Sequence, residues 1–123
     1  MKLVMSPLPK TWIFDLDGTL LVQNGYKFGE DKILPGVKEF FDKIPPTDFI
    51  LIVTAREEEV REQTINFLNE VGIRFDKIIF GVPTGERILI NDDKPSGLVT
   101  SYAVRLKRDE GLGNLDFVID ENL

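Results

Sequence analysis

Two carboxylates close the first strong apolar run of the chain. Trp12-Ile13-Phe14 leads into Asp15-Leu16-Asp17, and Gly18 ends the run. Acids in such a segment are expensive to bury without partners, so an ordinary strand end is a poor account of them. Thr54 directly follows a second apolar run, Phe49 to Val53. Asp92, Asp93 and then Lys94 come just after a third, Arg87 to Ile90. In open parallel sheets, ligands bind outside the carboxyl ends of the strands. The three segments are therefore expected to converge on one spot holding up to four carboxylates, a hydroxyl and an ammonium. Crowded carboxylates repel one another unless a cation neutralises them, and Mg²⁺ held by a few carboxylates and several waters meets that need. The chain contains no His and no Cys, which excludes imidazole catalysis, thiolate nucleophiles and soft metal sites. Phosphoryl transfer is the chemistry this set serves best. One carboxylate can attack phosphorus, a second can act as acid and then base, and cations and backbone N–H groups can hold the phosphoryl oxygens.

The elements that must position these residues alternate. Trp12 to Leu16 reads as a buried strand. A polar, Gly-spaced stretch from Thr19 to Leu34 is expected to form a small hairpin or flap. Pro35-Gly36 opens a helix whose apolar face is Val37, Phe40, Phe41 and Ile44, and Pro45-Pro46 stops it. Five apolar residues in a row, Phe49 to Val53, predict a strand covered on both faces. Thr54-Ala55-Arg56-Glu57 fits a capping box. The next helix puts Val60, Thr64, Phe67, Leu68 and Val71 on one face, and Gly72 ends it. Ile78-Ile79-Phe80, Arg87 to Ile90 and Tyr102 to Leu106 predict three further strands, with a weaker run at Phe117-Val118-Ile119. Together they predict an α/β fold with a doubly wound, mostly parallel sheet. One joint resists. Only seven residues, Gly81 to Arg87, separate the third and fourth strands, whereas a parallel crossover takes a dozen or more. That leaves open an antiparallel pairing or a short edge strand.

Composition bounds the rest. At 123 residues the chain is expected to be a single domain, residues 1–123. With 21 Asp and Glu against 15 Lys and Arg, the net charge is −6, which disfavours nucleic acid as a partner. The N-terminal apolar run is too short for a signal-peptide core and no stretch approaches a membrane span, so a cytoplasmic protein is expected.

Asp15-Leu16-Asp17-Gly18-Thr19-Leu20 resembles the first motif, DxDGT, of the haloacid dehalogenase superfamily of Mg²⁺-dependent phosphohydrolases. Thr54, at the end of Ile52-Val53-Thr54, resembles the second motif, and Ile90-Asn91-Asp92-Asp93 the acidic fourth motif. The resemblance implies a Rossmann-like core and assigns roles. Asp15 would be the nucleophile. Asp17 would be the general acid–base, its backbone carbonyl on Mg²⁺. Thr54 would bind the phosphoryl group. Asp92 would bind Mg²⁺ directly and Asp93 would assist, so that Asp15, Asp17, Asp92 and Asp93 form the metal set. The superfamily's Lys often precedes the fourth strand in a Gly-Lys-Pro-like segment, but here that segment is Gly81-Val82-Pro83. Lys94 is the nearest substitute and Lys77 a weaker one, since it precedes its strand. The run Ile90 to Pro95 is similar to that of small superfamily members in surface-polysaccharide pathways.

Blander readings stand beside these. Thr54 can simply cap a helix, and both roles can hold together. Asp92, Asp93 and Lys94 can form a surface turn with Pro95 and Gly97. Arg56 is read as a surface or cap residue, and Phe40, Phe41, Phe67 and Phe80 as core. A signalling receiver domain has a similar size and similar residues, but its acceptor Asp would stand where Thr54 does, and its acidic pair would come early. A non-catalytic Mg²⁺-binding protein on the same fold is the other alternative. Only 36 residues separate Asp17 from Thr54, so no cap domain fits. An open site is expected to be closed by the flap (about residues 19–34), by a second copy in a homo-oligomer, or by the substrate itself. The expected substrate is a sugar phosphate or related metabolite, with a phosphorylated macromolecule as the alternative.

Overall fold

The computed structural model describes all 123 residues. Strand β1 (Lys2–Met5) is followed by β2 (Thr11–Asp15), a one-turn helix α1 (Gly25–Phe28) and helix α2 (Val37–Lys43). Strand β3 (Phe49–Val53), helix α3 (Arg61–Glu70) entered through a 3₁₀ turn at Glu58–Val60, and strands β4 (Lys77–Ile79) and β5 (Asp116–Ile119) complete the order. The fold is α/β with two small sheets, one ordered β2-β3-β4 and the other β1-β5, and every strand pair is parallel. No helix is long and apolar enough to cross a membrane.

The elements follow their residues. In α2, Val37, Phe40 and Phe41 are buried as their spacing requires, with Ile44 just beyond. Phe41 lies 4.6 Å, ring centre to ring centre, from Phe14 of β2. Phe40 lies 5.4 Å from Phe117 of β5, and Trp12 5.1 Å from the same ring, so aromatic contacts join the two sheets. Helix α3 ends in a Schellman motif: Ile73 N–H donates to the Leu68 carbonyl and Gly72 N–H to that of Asn69, with Gly72 at φ +73°. Two acids set the strand starts. Buried Asp48 accepts from the Lys10 backbone N–H and from Trp12 Nε1, and Asp76 accepts from the Ile50 N–H at 2.7 Å. This fixes the register in which Asp15 lies opposite Val53.

Three expectations are corrected. Arg87 to Ile90 is not a strand; Ile88 and Ile90 are 82 % and 90 % exposed. The seven-residue connection is too short to bring this segment parallel to a neighbour, and without a partner β propensity alone makes no strand. Tyr102 to Leu106 is likewise irregular and unpaired, within a long non-regular stretch from Phe80 to Leu115. The capping box does not form: Thr54 Oγ1 accepts the N–H of Arg56, two residues on, and helical structure begins only at Glu58. One strand is additional. Lys2–Met5 pairs with β5 from the far end of the chain.

Candidate functional site

Asp15 ends β2, and the chain turns at once. The carbonyl of fully buried Leu16 accepts the N–H groups of Leu20 and Leu21, while Gly18 N–H donates to the Leu21 carbonyl at 2.7 Å. Gly18 adopts φ +82°, a left-handed backbone that favours glycine in this turn. The apolar anchors Leu16, Leu20 and Leu21 are fully buried, which leaves Asp15, Asp17 and Thr19 on the accessible side of the turn. The Gly18 carbonyl accepts the N–H of Asp109, tying the later loop to this turn. Residues 19–34 return through a bridge between Leu21 and Ile33, with α1 at the tip.

Each aspartate meets an arginine. Asp15 Oδ1 accepts from Arg87 Nη1 at 3.0 Å and Asp15 Oδ2 from Thr19 Oγ1 at 3.2 Å. Arg56 grips Asp17 with both arms of its fork, Nε to Oδ2 at 2.9 Å and Nη2 to Oδ1 at 2.8 Å. Its remaining N–H groups go to Asp31, at 3.0 and 2.7 Å, and to Thr64 Oγ1 at 2.9 Å. The Tyr26 ring lies 4.0 Å from the guanidinium carbon. Arg56 is therefore no surface residue; it is only 2 % exposed. Burial works against its charge, but the hydrogen bonds and charges of Asp17 and Asp31 outweigh that and raise the guanidinium above its ordinary value.

Thr54 is buried beside this network and accepts the Arg56 N–H, closing a turn where a helix cap was expected. Asp92, Asp93 and Lys94 are exposed. Lys94 N–H donates to the Leu98 carbonyl and Gly97 N–H to that of Lys94, a surface turn of the kind the Pro95 and Gly97 spacing allows. Lys77 opens β4 level with Leu51 and Ile13, two residues short of the edge where Asp15 lies. Asp15, Asp17 and Thr54 thus come to one edge, and Asp92, Asp93 and Lys94 stay in the exposed loop. The expected Mg²⁺ set does not assemble. No group of three acidic side chains converges to hold a metal ion, and an Arg87 N–H occupies one oxygen of Asp15, the carboxylate expected on the ion. The residues in this arrangement do not fit the ion.

Arg87 lies four residues past the Gly81-Val82-Pro83 segment in which the resemblance places a basic residue, and its place at the head of a predicted strand hid it. A shallow cleft of about 290 Å³ opens beside it, lined by Val53, Val82, Pro83, Glu86, Arg87 and Ile88. Val53 is the register partner of Asp15, so the cleft starts next to that carboxylate. No protein-family model, curated protein or solved structure matches the chain.

Proposed function

We propose that the chain is a phosphomonoester hydrolase of the haloacid dehalogenase type, working through an aspartyl-phosphate on Asp15. The observation that carries this reading is the Asp15 to Thr19 turn: a carboxylate at a parallel strand's carboxyl end, a second one two residues on, and an arginine against each. In the first step an Asp15 oxygen bonds to phosphorus and the phosphorus–oxygen ester bond breaks. The departing oxygen takes a proton from Asp17 or from water. In the second step Asp17 accepts a proton from water, whose oxygen attacks phosphorus and releases Asp15. Arg87 is already at the nucleophile, so its fork can turn to the phosphoryl oxygens.

Dependence on Mg²⁺ rests on the resemblance alone, and these steps use only the chain's own side chains. A doubly wound core with residues 19–34 as a flap, and action in the cytoplasm, belong to the same reading. So does a small substrate, a sugar phosphate or related metabolite: the cleft beside Arg87 is small, and the net charge of −6 repels nucleic acid. The test is phosphate release from p-nitrophenyl phosphate, sugar phosphates, nucleotides and phosphopeptides, with and without added Mg²⁺. The wild type is expected to turn over the small esters and Asp15→Asn to lose nearly all activity. Equal rates for the two proteins would remove Asp15 as nucleophile.

A further inference from the structure

We infer that Asp31 is a positioning residue, which acts through Arg56 to aim the guanidinium fork that holds Asp17. The inference rests on the phosphatase reading for its kinetic consequence and on geometry for the rest. Asp31 lies outside every motif, in the Gly-spaced stretch after the first strand. Its side chain is only 2 % exposed. A carboxylate so deeply buried needs a partner, and Arg56 supplies two N–H bonds.

A guanidinium has five N–H donors, and in Arg56 all five are engaged: two by Asp17, two by Asp31 and one by Thr64. With Tyr26 over one face, the group has no free orientation left. The chain runs from Asp31 in the interior, through Arg56, to Asp17, whose side chain is 15 % exposed at the site edge.

Stability does not explain this chain. Apolar side chains of similar volume commonly serve a buried position as well as a buried ion pair, or better. They cannot aim a charged fork at a reactive carboxylate. Arg56 without Asp31 would keep its charge but lose two of the bonds that orient its plane, and Asp17 would follow.

Two measurements test this. The first is a double-mutant cycle on thermal stability with Asp31→Asn, Asp17→Asn and the pair. No hydrogen bond joins the two acids, and direct repulsion between their carboxylates would make the second substitution cost more than it does alone, so a smaller second shift reads coupling through Arg56. The second substitution is expected to shift Tm by less than half of what it does alone. Additive shifts would overturn the inference, whether or not the protein has activity.

The second measurement is steady-state hydrolysis of p-nitrophenyl phosphate. Asp31→Asn is expected to lower kcat by about 10²-fold, the scale of a 1 Å misplacement, with KM unchanged within a factor of about two. Arg56→Lys, which keeps the charge and loses the fork, is expected to lower kcat at least as far. Leu68→Ala, a core change in α3, should lower Tm while leaving kcat in place. A kcat for Asp31→Asn no lower than that of Leu68→Ala would overturn the positioning role and leave the phosphatase reading intact. No turnover by the wild type would overturn the phosphatase reading, and the stability cycle would still decide whether Asp31 governs Asp17.

Discussion

Arg87 Nη1 donates to Asp15 Oδ1 at 3.0 Å, across 72 residues of chain. Both side chains are more than a third exposed, and such a pair contributes about 0–1 kcal/mol to stability. Its value lies in what else the guanidinium can bind. A phosphate monoester is tetrahedral, but any pair of its free oxygens can accept the same forked bonds as a carboxylate, with more charge. Arg87→Ala is therefore expected to leave Tm nearly unchanged and to raise KM for p-nitrophenyl phosphate about tenfold, which corresponds to about 1.4 kcal/mol. Arg87→Lys should recover only part of this, because an ammonium is a point charge with no fork. An unchanged KM in Arg87→Ala would remove Arg87 from the substrate site.

The two steps at Asp15 make different demands on Asp17. An aryl leaving group departs with little need of a proton, whereas hydrolysis of the aspartyl-phosphate needs one removed from water. Asp17→Asn keeps an oxygen for Arg56 but cannot take that proton. With p-nitrophenyl phosphate it is expected to release about one equivalent of p-nitrophenol quickly and then turn over about 10²–10⁴-fold more slowly than wild type. Stopped-flow absorbance reads both phases. Loss of the rapid phase together with the slow one would mean that Asp17 is needed for the first step as well.

Local pattern carried much of this fold. Phe49 to Val53 is a strand over the residues its unbroken apolar run marks, and Val37, Phe40 and Phe41 bury the face their spacing draws. Gly72 stops α3 as its position implies. These elements are decided by neighbours in the chain. The pairing of Lys2–Met5 with Asp116–Ile119 is decided between the two ends, and no local pattern records it. Ile88-Leu89-Ile90 shows the converse: strong strand-forming residues with no strand within reach to pair with. In the site, Asp15 and Asp17 were legible because acids rarely close an apolar run. Arg56 was not, because an arginine after a strand normally faces solvent. What holds it inside is Asp31, 25 residues away in a stretch that reads as a polar loop.

Two glycines fasten the late loop to the start of α2. Gly111 adopts φ +78°, and a Cβ there would fall 2.1 Å from the Pro35 carbonyl oxygen. Gly36 adopts φ +76°, and its Cβ would fall 2.5 Å from the Gly113 nitrogen. Between them Leu112 is buried and its N–H donates to the Pro35 carbonyl at 2.9 Å. Gly111→Ala combines a left-handed backbone with a backbone clash and is expected to cost about 3 kcal/mol or more. Gly85→Ala, where a Cβ would meet nothing within 4 Å, should stay within about 0.5 kcal/mol. Urea denaturation compares the two. Similar midpoints for both variants would show that the Pro35–Gly111 approach is not tight.

Acid should loosen the junction between α2 and β5. Asp116 accepts hydrogen bonds from Lys43 Nζ and from the Phe117 backbone N–H, and these hold its carboxyl below the ordinary carboxylate value. A carboxyl that is easier to ionise folded than unfolded contributes stability above the unfolded value, near about 3.9. That contribution is lost as pH falls through the folded value. Asp116→Asn is therefore expected to melt below wild type at pH 7, with the difference closing progressively below about pH 4. Because the pair is exposed, added salt should shrink the difference at pH 7 as well. Melting curves for both proteins from pH 7 to pH 2, at low and high ionic strength, read the effect. A gap that keeps its size into acid would mean that Asp116 acts through its shape and backbone contact and not through its charge.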